Sequence, residues 1–267
     1  MSSPRGYGAV GSSEAEQQPL LRKKERPWLW RRMAVDVNRD WGDLVLLLCY
    51  VITGLLDSSS ISIWGSFVSM QTGNTVYIGL GLSAPSEGTR WIKSGTSLLS
   101  FCLGSFLFSR FHRFFSPARR WVLCASFFVQ MLFIAGAASI LTFGPASSHD
   151  DVTWNVLVPI ALIAFQSCGQ AVTSRALKYN ALTSVVLTSI YCDLFSDAEL
   201  FAPLLDNAER NRRIAAPLLL LLGAIMGGSF ARSSIGIAGA LWTAVALKLI
   251  TVVSWFLWPA QPDTDNE

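Results

Sequence analysis

Residues 44–56 read LVLLLCYVITGLL, a run with no charged side chain. With five further apolar stretches it predicts six membrane crossings, since a spanning helix needs ~20 mostly apolar residues. The crossings are expected at about 42–60, 93–110, 120–143, 154–174, 214–231 and 235–258. Across the chain, 51% of residues are hydrophobic and 15% are charged. This composition argues against a soluble enzyme, a disordered protein and a nucleic-acid-binding module, and favours an all-α integral membrane protein.

Two shorter apolar stretches, 67–83 and 181–195, both carry several Ser and Thr residues, and the first also carries Gly and Asn. We expect them to be short broken or re-entrant segments that do not cross the bilayer. Irregular backbone is tolerated at membrane depth only when it is packed inside protein or lines a wet cavity.

Basic residues set the expected orientation, because Lys and Arg accumulate in cytosolic loops. The N-terminal region and the loop 110–120, with four arginines, should both be cytosolic, which requires two crossings between them. Six crossings satisfy this and return residues 259–267, a short acidic tail, to the cytosol. Eight crossings would place the arginine-rich loop outside, so we disfavour that alternative.

Residues 1–41 are expected to form a disordered, basic cytosolic tail that precedes the transmembrane domain, 42–258. Within the tail, Glu16 followed by Leu20-Leu21 matches an acidic dileucine pattern that sorting adaptors read. If it is not a chance match, it favours a vacuolar or lysosomal membrane over the plasma membrane. The tail's basic run suits anionic lipid headgroups better than nucleic acid.

The two halves of the domain, about 42–143 and 154–258, resemble each other. Each has a crossing, a polar broken segment and two further crossings, and Thr72-Gly73 is echoed by Thr188-Ser189. Because three crossings per half is an odd number, the halves should have opposite orientations, as an inverted 3+3 repeat. Such repeats are typical of secondary transporters with a central site. The alternative is that any two apolar halves look alike.

Residues 54–57, GLLD, and 67–76, FVSMQTGNTV, resemble the hallmark of the YoaK-like family, bacterial and fungal multi-pass membrane proteins classed as a domain of unknown function. Residues 182–189 agree, except that Ser189 stands where the family often has Gly. The resemblance identifies the chain as a fungal-type member over 42–258. It implies six crossings and no established activity.

Asp57 is the first candidate site residue, because acids inside a membrane are costly and usually face a partner or a wet pathway. With Ser58 it could form a proton or cation site; the alternative is a solvated acid at a helix end. Residues Gln71, Thr72, Gly73, Asn74 and Thr75 could bind a small polar solute in a broken helix. Alternatively, they only satisfy the irregular backbone. The second half adds Gln166, Gln170 and Thr188 to the predicted substrate site.

Lys248 lies ten residues before Trp258, which is ~15 Å along a helix and about mid-bilayer. A buried Lys needs a partner, and we considered Asp57 and Asp193. A Lys–carboxylate pair could couple proton movement to transport. The alternative is that the side chain snorkels to the interface.

No catalytic set, metal motif or cofactor motif is present in the sequence, so we expect neither an enzyme nor a bound metal or cofactor. The favoured function is a permease for a small polar solute or ion. We expect it to contact the lipid bilayer and, if the dileucine pattern is read, a sorting adaptor. A non-transporting membrane scaffold or sensor is the main alternative. An enzyme acting on lipid is a third.

Overall fold

The chain folds into long helices, as a computed structural model shows for residues 27–40, 42–145, 151–179, 182 and 184–262. The predicted sorting motif, Glu16 with Leu20 and Leu21, and most of the predicted tail lie outside these residues. The helices are α1 (Trp28–Met33), α2 (Gly42–Trp64), α3 (Gln71–Ser83), α4 (Arg90–Phe114), α5 (Arg120–Phe143), α6 (Trp154–Ala176), α7 (Leu187–Phe195), α8 (Ala208–Ala231) and α9 (Gly236–Leu257). Among the described residues, extended pairing is confined to isolated bridges.

Five of these helices, α2, α5, α6, α8 and α9, are long and apolar enough to cross a membrane. They have 22 to 24 residues, which at 1.5 Å per residue exceeds a hydrocarbon core of about 30 Å. The predicted crossing 93–110 lies in α4, which has 25 residues but carries Arg90, Lys93, Arg110 and Arg113 near its ends. The helices α3 and α7, with 13 and 9 residues, are too short to cross.

Each short helix follows a stretch of irregular backbone. The first break, residues 65–70, begins at Gly65, whose φ of 76° lies in the left-handed region that glycine adopts without strain. The second break, described at residues 177–179, 182 and 184–186, includes Lys178 at φ 68°. Thus α2 runs into the first break and α3, and α6 runs into the second break and α7.

The bundle is organised by three pairs of helices: α2 packs along α8, α4 along α6, and α5 along α9. Glycines allow the backbones of α2 and α8 to approach each other closely. A Cβ on Gly54 would lie 2.0 Å from the Leu220 carbonyl oxygen, and one on Gly223 would lie 2.0 Å from that of Val51. The two backbones therefore touch, and the contact tolerates no side chain at either position.

Three distant parts of the chain meet at one end of the bundle, in an arrangement that we call the clip (residues 34–38, 118–120 and 258–261). Within it, the Val37 N–H donates to the Ala118 carbonyl at 2.9 Å. The Asn38 N–H donates to the Pro259 carbonyl at 3.0 Å. The guanidinium of Arg120 donates to the carbonyls of Arg32 and Trp258. The clip places the segment before α2, the α4–α5 loop and the segment after α9 on the same side of the bundle.

Candidate functional site

The two breaks come together around a cavity of about 180 Å³, the inter-break pocket. Its walls come from the first break, the starts of α3 and α7, and facing turns of α4 and α6. It is lined by Ser69, Gln71, Thr72, Phe101, Ser105, Ala171, Val172, Arg175, Val185 and Val186. Both halves of the chain therefore contribute to one polar cavity.

Asp57 anchors the first break. It is 3% exposed and lies inside α2, which continues to Trp64, so the alternative of a solvated acid at a helix end is wrong. Its carboxylate accepts the N–H groups of Val68 at 2.8 Å and Ser69 at 2.9 Å, and also the Ser69 hydroxyl. These donors fix the break beside the pocket.

Ser58 is turned away from this site. Its hydroxyl donates to the Leu55 carbonyl at 3.3 Å and lies against Gly227 of α8. The predicted ligand set of Asp57 with Ser58 is therefore not assembled in the structure.

The predicted block 71–75 divides into a structural part and a part that faces the pocket. Asn74 is fully buried, and its amide nitrogen donates to the Phe67 carbonyl at 2.8 Å while its oxygen accepts the Phe67 N–H at 3.0 Å. Asn74 thus satisfies irregular backbone, as the structural alternative proposed. Gln71 and Thr72 line the pocket.

The other two residues of the block have local roles. Gly73 makes room for the Phe67 ring, since a Cβ there would lie 2.8 Å from it. Thr75 is exposed, and its hydroxyl donates to the Gln71 carbonyl at 2.9 Å.

Lys248 is completely buried, so the alternative that it snorkels to the interface is wrong. Its ammonium donates to the side-chain oxygens of Gln130 at 2.6 Å and Gln170 at 2.9 Å, and it lies 5.1 Å from the centre of the Phe127 ring. The expected partners, Asp57 and Asp193, are not its partners: Asp57 binds the first break, and Asp193 is exposed on α7. The ammonium is therefore held by neutral amides and an aromatic face.

Gln170 connects Lys248 to the second break. Its amide nitrogen donates to the hydroxyls of Thr53 at 2.6 Å and Ser184 at 2.8 Å, while its oxygen accepts from Lys248. The Gln170 amide of α6 thus connects α2, α9 and Ser184 of the second break, and Ser184 is the chain neighbour of the pocket residue Val185.

Gln166 lies one turn before Gln170 on α6 and is also fully buried. Neither its amide oxygen nor its nitrogen has a hydrogen-bond partner among the described residues. Buried amides are normally paired, so these two atoms mark a place where water or a polar solute would be stabilised. Thr188, by contrast, is exposed on α7.

Side-chain hydrogen bonds from Ser174 and Tyr179 hold the second break in place. The Ser174 hydroxyl donates to the carbonyls of Tyr179 at 2.7 Å and Leu182 at 2.9 Å. The Tyr179 hydroxyl donates to the Arg39 carbonyl. Burial and the nearby Asp43 carboxylate raise the pKa of Tyr179, so this hydroxyl stays protonated and keeps donating.

Sequence reasoning did not single out several pocket residues, namely Ser69, Ser105 and Arg175. Arg175 carries a signal that could have found it, because it follows directly on an apolar helix that also holds Gln166 and Gln170. Within the described ranges, no group of three or more His, Cys, Asp or Glu residues is placed to hold a metal ion.

Comparison with known proteins identifies a family without an assigned activity. The family described as "Protein of unknown function (DUF1275)" matches residues 45–254, most of the chain and all of the helices from α3 to α8. No curated protein and no solved structure matches this chain.

Proposed function

We propose that this chain, which belongs to the DUF1275 family, is a permease for a small polar solute or ion, with the inter-break pocket as its binding site. One observation carries the proposal: both helix breaks border one cavity with polar side chains in its wall, and hydrogen bonds link two buried charged side chains to that wall. Asp57 reaches the pocket through Ser69, and Lys248 reaches it through Gln170, whose neighbour Ala171 lines the wall. Helix breaks at a central cavity are the usual solute sites of secondary transporters.

The proposal includes six crossings, with α4 as the sixth, and an inverted 3+3 repeat. The packing of the helices supports the repeat. In an inverted repeat, α2 corresponds to α6, α3 to α7, α4 to α8 and α5 to α9, and each helix pair should have a counterpart made of the corresponding helices. Such counterparts are found: α2–α8 corresponds to α6–α4, α3–α4 to α7–α8, α5–α6 to α9–α2, and α5–α9 to itself. A chance likeness between two apolar halves would not reproduce their packing partners. The α8–α9 contact has no comparably close counterpart between α4 and α5.

In this proposal the clip faces the cytosol, because it gathers Arg32, Arg119 and Arg120 at one end of the bundle. The protein lies in a vacuolar or lysosomal membrane if adaptors read the N-terminal dileucine, and in the plasma membrane otherwise. The resemblance noted above places it with the fungal-type members of the family.

The roles follow from position. The solute contacts four polar residues of the pocket wall, Ser69, Gln71, Thr72 and Ser105. Gln166, one turn before Gln170 on α6, offers unpaired polar atoms. Lys248 is the coupling charge: a buried ammonium among neutral groups responds strongly to any charge that enters nearby. Asn74 and Asp57 keep the first break in shape.

Transport is proposed in preference to catalysis. The pocket hydroxyl of Ser69 donates to the Asp57 carboxylate, but this carboxylate also accepts two backbone N–H groups of the first break, which favours a structural role for the pair. A membrane scaffold or sensor is the second candidate. It is favoured by Asn74 and Asp57, whose hydrogen bonds are all internal.

Cysteine accessibility separates these candidates. In a background with all five native cysteines replaced, single cysteines are placed at Thr72, Ser105 and Val172 and treated in membrane vesicles with a small charged thiol reagent. Ser116, exposed in the α4–α5 loop, is the positive control, and Ala164, fully buried, is the negative control. A permease predicts labelling at the three pocket positions. Labelling at Ser116 alone would leave the scaffold and reject the permease.

A further inference from the structure

The inter-break pocket is lined by one charged side chain, Arg175, with no acid in its wall. Arg175 is exposed at the end of α6, and its guanidinium makes no hydrogen bond or ion pair with any residue that the structure describes. Arginines that hold a fold together have such bonds, as Arg120 does in the clip. Arg175 is therefore available to a molecule in the pocket.

The acid nearest the pocket, Asp57, does not offset this positive charge toward a ligand. Its oxygens already accept from Val68, Ser69 and the Ser69 hydroxyl, and Ser69 rather than Asp57 lines the cavity. A metal or organic cation in the pocket would therefore find no open carboxylate among the described residues.

Lys248 is a buried positive charge that is linked to the pocket wall. Its ammonium is held by the amide oxygens of Gln130 and Gln170 and carries no counter-ion among the described residues. Gln170 is the chain neighbour of Ala171, which lines the cavity. Asp57 is surrounded by donors, whereas no described acid offsets the charge of Lys248, so the local field favours an anion in the cavity.

From this arrangement we infer that the pocket selects small anions, with Arg175 as the ion-pairing residue and the hydroxyls of Thr72 and Ser105 as neutral donors. This inference rests on the proposed permease function and names its substrate class. The cavity, about 180 Å³, has room for an anion the size of acetate and accompanying water. Arg175 suits this role because a guanidinium presents paired N–H donors to a carboxylate or another oxyanion.

The first test measures the potential in the pocket without knowing the natural substrate. A single cysteine at Val172 is labelled with a sulfonate-bearing methanethiosulfonate and with its trimethylammonium counterpart, which has the opposite charge. Both rates are divided by those of a free thiol. The anionic reagent should be favoured, and Arg175→Gln should lower this preference by about tenfold, as expected for one unit charge within the width of a pocket. Arg175→Lys should retain most of it.

Arg113→Gln is the matched control, since Arg113 is exposed on the same side of the bundle but does not line the pocket. This variant should leave the preference unchanged. Size-exclusion profiles identify any variant that fails to fold. If Arg175→Gln does not fold, the comparison of acetate with acetamide in the parent protein still tests the assignment.

The second test uses two probes of similar shape and different charge, sodium acetate and acetamide, as protectants of the cysteine at Val172. Acetate should slow labelling in the parent and in Arg113→Gln, and not in Arg175→Gln. Equal protection by acetamide, or a reagent preference unaffected by Arg175→Gln, would overturn the anion assignment and leave the permease standing. Absence of labelling at Val172 with either reagent would overturn the permease itself.

Discussion

The hydrogen bond between Lys248 and Gln170 leads to a prediction about stability: removing both side chains should destabilise the protein less than removing Gln170 alone. Replacing Gln170 with Leu takes away one of the two oxygens that hold the buried ammonium and leaves Ser184 without its donor. Replacing Lys248 with Met in the same protein removes the charge that had lost its partner. The double variant should therefore be more stable than Gln170→Leu alone.

The magnitudes follow from the bonds that are lost. A hydrogen bond to a charged group contributes about 1.5–3 kcal/mol and a neutral one about 1 kcal/mol. Gln170→Leu loses one bond of the first kind and the two neutral bonds to Thr53 and Ser184, so it should cost about 3.5–5 kcal/mol. Lys248→Met alone leaves the oxygens of Gln130 and Gln170 unpaired, at roughly 1–3 kcal/mol each. It also removes a buried charge, and such replacements often stabilise by about 1–4 kcal/mol. The middle of these ranges gives a net cost of about 1.5 kcal/mol, which is less than the coupling of about 2 kcal/mol expected between the two sites.

Thermal unfolding of the purified protein in detergent, followed by tryptophan fluorescence, measures this. The coupling of about 2 kcal/mol corresponds to a Tm roughly 4–8 °C above the value that additive effects would give for the double variant. The matched control is Lys248→Met combined with Asn74→Ala, two changes in separate hydrogen-bond networks, which should be additive. If the Lys248→Met/Gln170→Leu double variant is less stable than Gln170→Leu, the ammonium is not held by Gln170, and the proposed link from Lys248 to the pocket is wrong.

Three further changes test the framework around the pocket. Gly223→Ala should lower the free energy of unfolding by about 1–3 kcal/mol through overpacking. Gly228→Ala is its control, because a Cβ there meets nothing within 4 Å, and it should leave the free energy of unfolding unchanged or raise it by up to about 1 kcal/mol. Equal Tm shifts for the two variants would contradict the close α2–α8 contact. Asp57→Asn should speed amide hydrogen exchange of residues 65–70 by about tenfold or more, because the Ser69 hydroxyl loses its acceptor; unchanged exchange would mean that the break is held by other contacts. Arg120→Gln should make residues 34–38 more sensitive to added protease, and resistance equal to that of the parent would show that the clip does not depend on this guanidinium.

The helical framework could be predicted because its cause is local. Apolar length specifies α2, α5, α6, α8 and α9. The Ser and Thr residues of 67–83 and 181–195, joined in the first stretch by three glycines, account for the short helices there. The sixth predicted crossing falls on α4, where charged residues near the ends lower the apolar content while the helix keeps its full length. A hydropathy value averaged over a stretch of residues does not separate the charged ends of a helix such as α4 from its apolar centre.

The site could be predicted only in part, because its geometry depends on which helices pack together. Asp57, Gln71 and Lys248 were identified as costly polar groups at membrane depth, and all three lie at or beside the pocket. Their partners did not follow, since Gln130 and Gln170 lie 118 and 78 residues from Lys248 along the chain. Sequence reasoning paired charge with charge, whereas the fold brings amide oxygens to the ammonium.

The clip joins parts of the chain that are synthesised at very different times. The Asn38 carbonyl and the Trp258 indole N–H that donates to it are 220 residues apart, so this end of the protein can close only after α9 has been made. A nascent chain interrupted after α8 would already contain four of its five most apolar helices but would present residues 34–38 as an open backbone edge. A closed clip therefore shows that synthesis has passed Gln261 and that the first and last described helices have been brought to one end of the bundle.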